Sequence, residues 1–480
     1  MTTPNTTQNN NVRSNVLAAR RHQRSSAMRR LTAALLTIAF AVAATGAAYT
    51  ATAALDGIRA TIVAARPLAG KPSASAVNGA GYFAEQYSSY FLAAGLKHGN
   101  VNFSPTSMWL ALAIAAQGAD GETRAQLDRV LQTQSLTASD YRSLISSING
   151  RREGAASEMI ARNAVWADDV LTLSDGFASS VRDAFDADVF SLPFGDDATQ
   201  RLREWIKEGT RGELDPNVRL DDGQLLSIVN TMYADGRWDE PFDANDTKNG
   251  TFHGSHGDAT VPMMTRTFEN TTWAFSKKEG WQTATLTFDD GGTFTLLLPD
   301  EGRFDEIARA GGSVASRAFR AGTSNASDGN AIWPDEPERQ GPIPDVLGFD
   351  TTAYAAQVTV TMPRFSITNT FASDELTDVL REIGVTDAFD PERADFAKML
   401  DADHSAFKDA ALYVDSVVQG TRIDVNERGA KAAAYTDIGM ATSAAPVERR
   451  HVDFTVDRPF LYQYATPDGI PLFVGAVENL

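Results

Sequence analysis

Few side chains in this sequence are placed to do covalent chemistry. The 480 residues contain no cysteine, which removes disulfides, a thiol nucleophile, cysteine-ligated zinc and a lipid-modified cysteine together. The six histidines form no His-x-x-x-His pair, and His253 and His256 stand in a glycine-rich loop that reads as solvated, so no metal site is assigned. Asp289 and Asp290 precede two glycines, the composition of a hairpin turn. One arrangement reads as catalytic. Ser405 and Lys408 make a Ser-x-x-Lys pair, in which an amine takes the proton of a serine nucleophile. That chemistry also needs a Lys-Thr-Gly, which occurs nowhere, and a Ser-x-Asn after the nucleophile, whereas Ser147 and Asn149 come before it. An enzyme is therefore only a remote alternative, and no cofactor is expected.

Other residues read better as a substrate than as a catalyst. Ala441 to Ala445 are all small, and Glu448-Arg-Arg-His451 follows in what reads as an exposed loop. Before them, the run Glu427-Arg-Gly-Ala-Lys-Ala-Ala-Ala-Tyr-Thr-Asp-Ile-Gly-Met440 alternates when taken as a strand. One face carries Ala430, Ala432, Ala434, Thr436, Ile438 and Met440, uncharged throughout. The other carries Lys431, Ala433, Tyr435, Asp437, Gly439 and Ala441. Asn426 with Glu427 and Lys431 four apart also describes a capped helix, so the run alone leaves both open.

The elements that must position this run come from the rest of the chain. With 43% hydrophobic residues and this length, the chain can bury one large core or two ordinary ones. A net charge of −19 argues against nucleic-acid binding and against a heparin-type activator. Residues 1–28 are a polar basic tail, and Leu31 to Leu55 is uncharged and about long enough to span a bilayer. Residues 29–55 thus read as a signal-anchor or, with small-residue triplets such as Ala51 to Ala53, as a cleaved signal peptide. Residues 56–80 read as a linker, and the folded body as 81–480. Ser104 and Pro105 make an N-cap and first helical residue, opening an apolar run to Ala116 that must be buried. Gly322 to Asp345, rich in Gly, Asp, Glu and Pro, reads as a surface insertion.

Several blocks, in order, resemble the serpin family. They are Asn102-Phe-Ser-Pro-Thr-Ser107 with Gly118 to Thr123; Arg162 to Ala167; Trp205 to Leu214; and Leu226 through Trp238 to Phe242. Val261 to Met264, Met362-Pro-Arg-Phe365, Leu376 to Phe389, Asp457 to Phe460 and Leu472 to Val477 complete the series. The resemblance implies an α+β fold with helices around a large mixed five-stranded central sheet, two smaller sheets and an exposed reactive-centre loop. It implies a hinge at Glu427, Gly429, Ala430, Ala432, Ala433, Ala434 and Thr436, with Lys431 where the family commonly has Glu. By the family's usual hinge length the bond offered is Ser443–Ala444, or Thr442–Ser443 one residue earlier. It also implies a sheet-opening cluster of Ser104, Ser107 and Asn230, with Gln419 where the family usually has His, and Arg364 pairing with Glu427.

The function implied is trapping of extracellular serine proteases, elastase-like or subtilisin-like, as a covalent acyl complex with a monomeric inhibitor, membrane-tethered or secreted. The alternatives are a non-inhibitory serpin-fold binding protein or protease substrate, and remotely a penicillin-binding-type enzyme carrying the Ser405 and Lys408 motif.

Overall fold

The computed structural model describes residues 66–67, 71–214, 218–221, 224–309, 313–323, 352–371, 373–401, 412–414, 417–430 and 451–480. The signal segment 29–55, the insertion beyond Thr323 and the Ser405 to Lys408 motif lie outside them. Among the described residues no helix is long and apolar enough to cross a membrane.

In chain order, β1 (Arg66–Pro67) precedes α1 (Ala74–Gly95), β2 (Val101–Phe103) and α2 (Pro105–Gly118). Next come α3 (Gly121–Leu131), α4 (Ala138–Ile148), β3 (Gly150–Arg151) and β4 (Glu158–Ala167). α5 (Asp175–Phe185), β5 (Ala187–Ser191) and α6 (Asp196–Gly209) lead to β6 (Leu226–Arg237). β7 (Lys248–Gly254), β8 (Gly257–Ser276), β9 (Trp281–Thr287) and β10 (Thr293–Pro299) are successive antiparallel neighbours. α7 (Phe304–Arg309), α8 (Ser313–Thr323), β11 (Thr352–Pro363), β12 (Phe365–Phe371) and α9 (Ser373–Glu382) follow. The chain closes on β13 (Gln419–Asn426), β14 (Gly429–Ala430), β15 (His451–Thr455), β16 (Phe460–Ala465) and β17 (Pro471–Val477).

The class is α+β as expected, with different strand counts. Among the described residues the main sheet has six strands in the order β12-β13-β14-β6-β4-β5. The strand beyond the five expected is β14, the first two residues of the small-residue run to fall in the sheet. The remaining large sheet is one continuous body of nine strands rather than two smaller sheets, because the 20-residue β8 pairs with β7, β9 and β11 along its length.

α2 lies between the two sheets, touching β6 on one side and β17 on the other. It starts where the sequence places it: Ser104 Oγ accepts the Ser107 amide at 3.3 Å and Pro105 opens the first turn. Surrounded on all sides, it needs no polar face, and Trp109 satisfies its single indole N–H on the Leu131 carbonyl at 3.0 Å.

The start of the folded body is earlier than Gly81. α1 begins at Ala74, capped by the Ser73 hydroxyl, which accepts the Ala76 amide at 3.2 Å. Ala76, Gly79 and Ala80 are buried, and a Cβ at Gly79 would meet the Trp109 ring at 3.2 Å. What reads as linker composition is a close-packing face.

Candidate functional site

The segment expected to act as a hinge enters the main sheet through a tight hairpin. β13 ends at Asn426, Glu427 and Arg428 turn, and β14 returns with Asn426 opposite Gly429 and Val425 opposite Ala430. On its other edge β14 pairs antiparallel with β6, Gly429 opposite Arg237 and Ala430 opposite Gly236. Glycine is required on both sides of that crossing. A Cβ at Gly429 would collide with the Gly236 carbonyl oxygen, and one at Gly236 would lie 2.5 Å from Tyr464 Oη and 2.7 Å from the Phe288 ring. Ala430 is 2% exposed and packs into the core. The first of the small side chains therefore faces inward, as the alternation requires.

Three consecutive carbonyls of the turn are held by one segment. Trp238 Nε1 donates to Asn426 O at 2.9 Å, the Phe242 amide to Glu427 O at 2.9 Å, and the Trp238 amide to Arg428 O at 3.0 Å. Trp238 is itself fixed by stacking on Phe288 with centroids 4.8 Å apart and by an edge contact with Phe294.

Glu427 is buried, and Arg364, in the bend between β11 and β12, meets it. Arg364 Nε donates to Glu427 Oε1 at 2.6 Å and a terminal guanidinium nitrogen pairs with the same oxygen. Thr247 Oγ1 donates to it at 2.5 Å. Burial alone raises the carboxyl pKa, but the Arg364 and Thr247 hydrogen bonds outweigh it and hold the group below its ordinary range. The expected Arg364–Glu427 contact is thus present, and Thr247 is a partner that the sequence reading missed. No local pattern marks it.

At the other end of β13, the expected hydroxyl cluster is organised differently. Gln419 bonds the main chain of Ser104 twice, accepting its amide at 3.0 Å and donating to its carbonyl at 2.9 Å. A carboxamide carries its acceptor and its donors on separate atoms, so it bonds both main-chain groups of one residue at once. Ser104 Oγ instead donates to Leu472 O at 2.7 Å while accepting from Ser107 N. Asn230 does not join this group. Its Nδ2 donates to Asn163 Oδ1 at 2.8 Å and to Arg162 O at 3.2 Å across the β4–β6 ladder, and its buried Oδ1 has no partner among the described residues.

Below Ala430 a narrow cleft lies between β6 and β13, lined by Met232 and Ala234 on one side and Ile423 on the other. The two strands share no ladder of their own among the described residues; β14 alone bridges them. The remaining hinge positions Lys431, Ala432, Ala433, Ala434 and Thr436, and the candidate bonds at Thr442, Ser443 and Ala444, fall outside the described residues. His253 pairs with Asp258 at 2.9 Å on the surface, and among the described residues no group of three His, Cys, Asp or Glu is placed to hold a metal.

The family model described as serpin (serine protease inhibitor) matches residues 83–323 and 342–480. The chain belongs to the serpin family. Among curated relatives, this serpin is 30% identical to Serpin-ZXA of Oryza sativa, over 79% of the chain and 90% of the relative. It is 28% identical to an uncharacterised serpin-like protein of Thermococcus kodakarensis, over 79% of the chain and 80% of the relative. Its fold matches that of a thermophilic serpin, tengpin, in the native state, with a TM-score of 0.68 at 22% identity, over 87% of this chain and 97% of that one. The break between residues 323 and 342 in the family match falls within the interval read from composition as an insertion.

Proposed function

We propose that the protein is a suicide inhibitor of extracellular serine proteases with small-residue specificity. The observation that carries the reading is β14, a hinge already paired on both edges and pointing its first small side chain into the core. A protease serine attacks the carbonyl carbon of Ser443 or its neighbour. An ester forms to the enzyme, the peptide bond breaks, and the proton leaves with the new amine of the following residue. The freed end then extends β14. Each step along the hinge would move one residue back along β6 and β13, so a strand continued in the register of the 430–236 and 430–425 pairs would bring Thr436 opposite Asn230 and Gln419. That register would bring a hydroxyl near Asn230, whose Oδ1 has no partner among the described residues. It also buries Ile438 and Met440, each contributing roughly 1.5–3 kcal/mol. The esterified protease is carried to the far end before water releases it.

The N-terminal segment, read as a signal-anchor or signal peptide, places this activity outside the cytoplasm, tethered or released. An SDS-resistant complex with an elastase-like protease is the direct test, with the released fragment identifying the bond. Ala430→Arg should abolish the complex while cleavage continues, because a guanidinium cannot occupy the position that Ala430 fills. Cleavage without any complex from the unmodified protein would instead indicate a non-inhibitory serpin, the second reading.

A further inference from the structure

The two aspartates that the sequence marks as a hairpin turn do different things. Asp290, 6% exposed, fastens the β9–β10 turn itself, its carboxylate accepting the Gly292 amide at 2.8 Å. Asp289 reaches out of the turn. Its Oδ2 accepts the Ala156 amide at 2.6 Å, and its Oδ1 accepts the Ser157 amide at 3.1 Å and the Ser157 hydroxyl at 2.5 Å. With its proton committed to Asp289, the buried Ser157 oxygen turns a lone pair to Arg237, whose amide donates to it at 2.9 Å. The Asp289 amide donates back to the Arg237 carbonyl at 2.8 Å. Both main-chain groups of Arg237 are thus closed into one ring with Asp289 and Ser157.

Arg237 is where β14 rests. It ends β6 and lies opposite Gly429. The β4–β6 ladder stops two residues earlier, at the Glu158–Asp235 pair, so the ring supplies the partners that a neighbouring strand no longer offers. The next residue bonds the other way, Trp238 donating its amide to Arg428 O at 3.0 Å. One side of this short segment is therefore tied to the β9–β10 turn and the other to the β13–β14 hairpin. Phe288, which precedes Asp289, stacks on Trp238, so the turn and the support of the hairpin are packed as one unit. We propose that Asp289 is a positioning residue for β14: through Ser157 it fixes the end of β6 against which this two-residue strand is registered. It touches no reacting atom. Resting on the inhibitor reading, the same ring holds the starting point of insertion, because the freed chain would extend from a pair whose place is set at Arg237.

The test measures hydrogen exchange in the full chain and, separately, trapping of an elastase-like protease. Ser157→Ala removes the middle member of the ring and leaves both carboxylate–amide bonds in place. It should accelerate exchange at the Ala430 and Trp238 amides about five- to tenfold, what one net hydrogen bond is worth, while amides of β10 and β17 keep their rates. Asp289→Asn puts a donor where an acceptor stood and should have the same effect. On that background Ser157→Ala should add little, since both substitutions break one relay. Unchanged exchange at Ala430, additive effects of the two substitutions, or acceleration spread equally over β10 and β17 overturns the positioning role. The ratio of SDS-resistant complex to cleaved inhibitor should fall in both variants with the rate of cleavage unaltered; a ratio equal to that of the unmodified protein overturns the part in trapping. If the unmodified protein is cut without forming a complex, the inhibitor reading fails by itself, and the exchange rates still decide whether the ring positions β14.

Discussion

At Glu427 burial and hydrogen bonding act in opposite directions, and the bonds from Arg364 and Thr247 prevail. A carboxyl whose folded pKa is depressed adds stability above its unfolded value, and that stability is lost as pH falls through the folded value. Thermal stability should therefore decline as pH drops below the ordinary glutamate value of 4.5, and Glu427→Gln should flatten that limb of the profile; an unchanged limb would assign it to other carboxyls. Arg364→Ala, removing one partner of a buried group, should cost about 1–3 kcal/mol in denaturant unfolding. The residue-level reading from sequence found this pair because both sit in recognisable blocks. It missed Thr247, which reaches Glu427 from another part of the fold. It also misjudged Asn230, whose register partner Asn163 captures its amide before any hydroxyl can. Such competition depends on strand register, which a residue's type does not reveal.

The elements were legible where local and long-range signals coincide. Ser104 and Pro105 announce α2, and its unbroken apolar run requires burial on every side. The start of α1 was hidden because small residues chosen for close packing against Trp109 have the same composition as a tether. The hinge was legible in its parity and not in its resting state: alternation marks Ala430 as inward, but nothing in the run tells that β14 is already formed. That depends on the Gly236–Gly429 crossing and on the turn carbonyls held by Trp238 and Phe242. Gly236→Ala should lift β6 from the Tyr464 and Phe288 rings, cost roughly 1–3 kcal/mol through overpacking and strain the β14 pairing that β6 carries. Hydrogen exchange at the Ala430 amide should accelerate with it; unaltered exchange would mean that the crossing tolerates a methyl group. Trp238→Phe keeps the ring stack but removes the bond to Asn426 O, and should cost about 1 kcal/mol.

Across the whole molecule, α2 packs against the nine-stranded sheet, and the six-stranded sheet holds the short β14, which on the inhibitor reading proposed above is the strand that would be extended. Its hinge hairpin is pinned at one end, so every later position is counted from Gly429, as on a ruler whose zero is nailed down. On the inhibitor reading proposed above, lengthening or shortening the chain beyond Met440 would change which peptide bond is presented, while the register counted from Gly429 would stay the same. Bait and mechanism are thereby uncoupled. On the same reading the sequence after Met440 could change to meet a new protease, as a lock can be re-keyed without rebuilding the bolt.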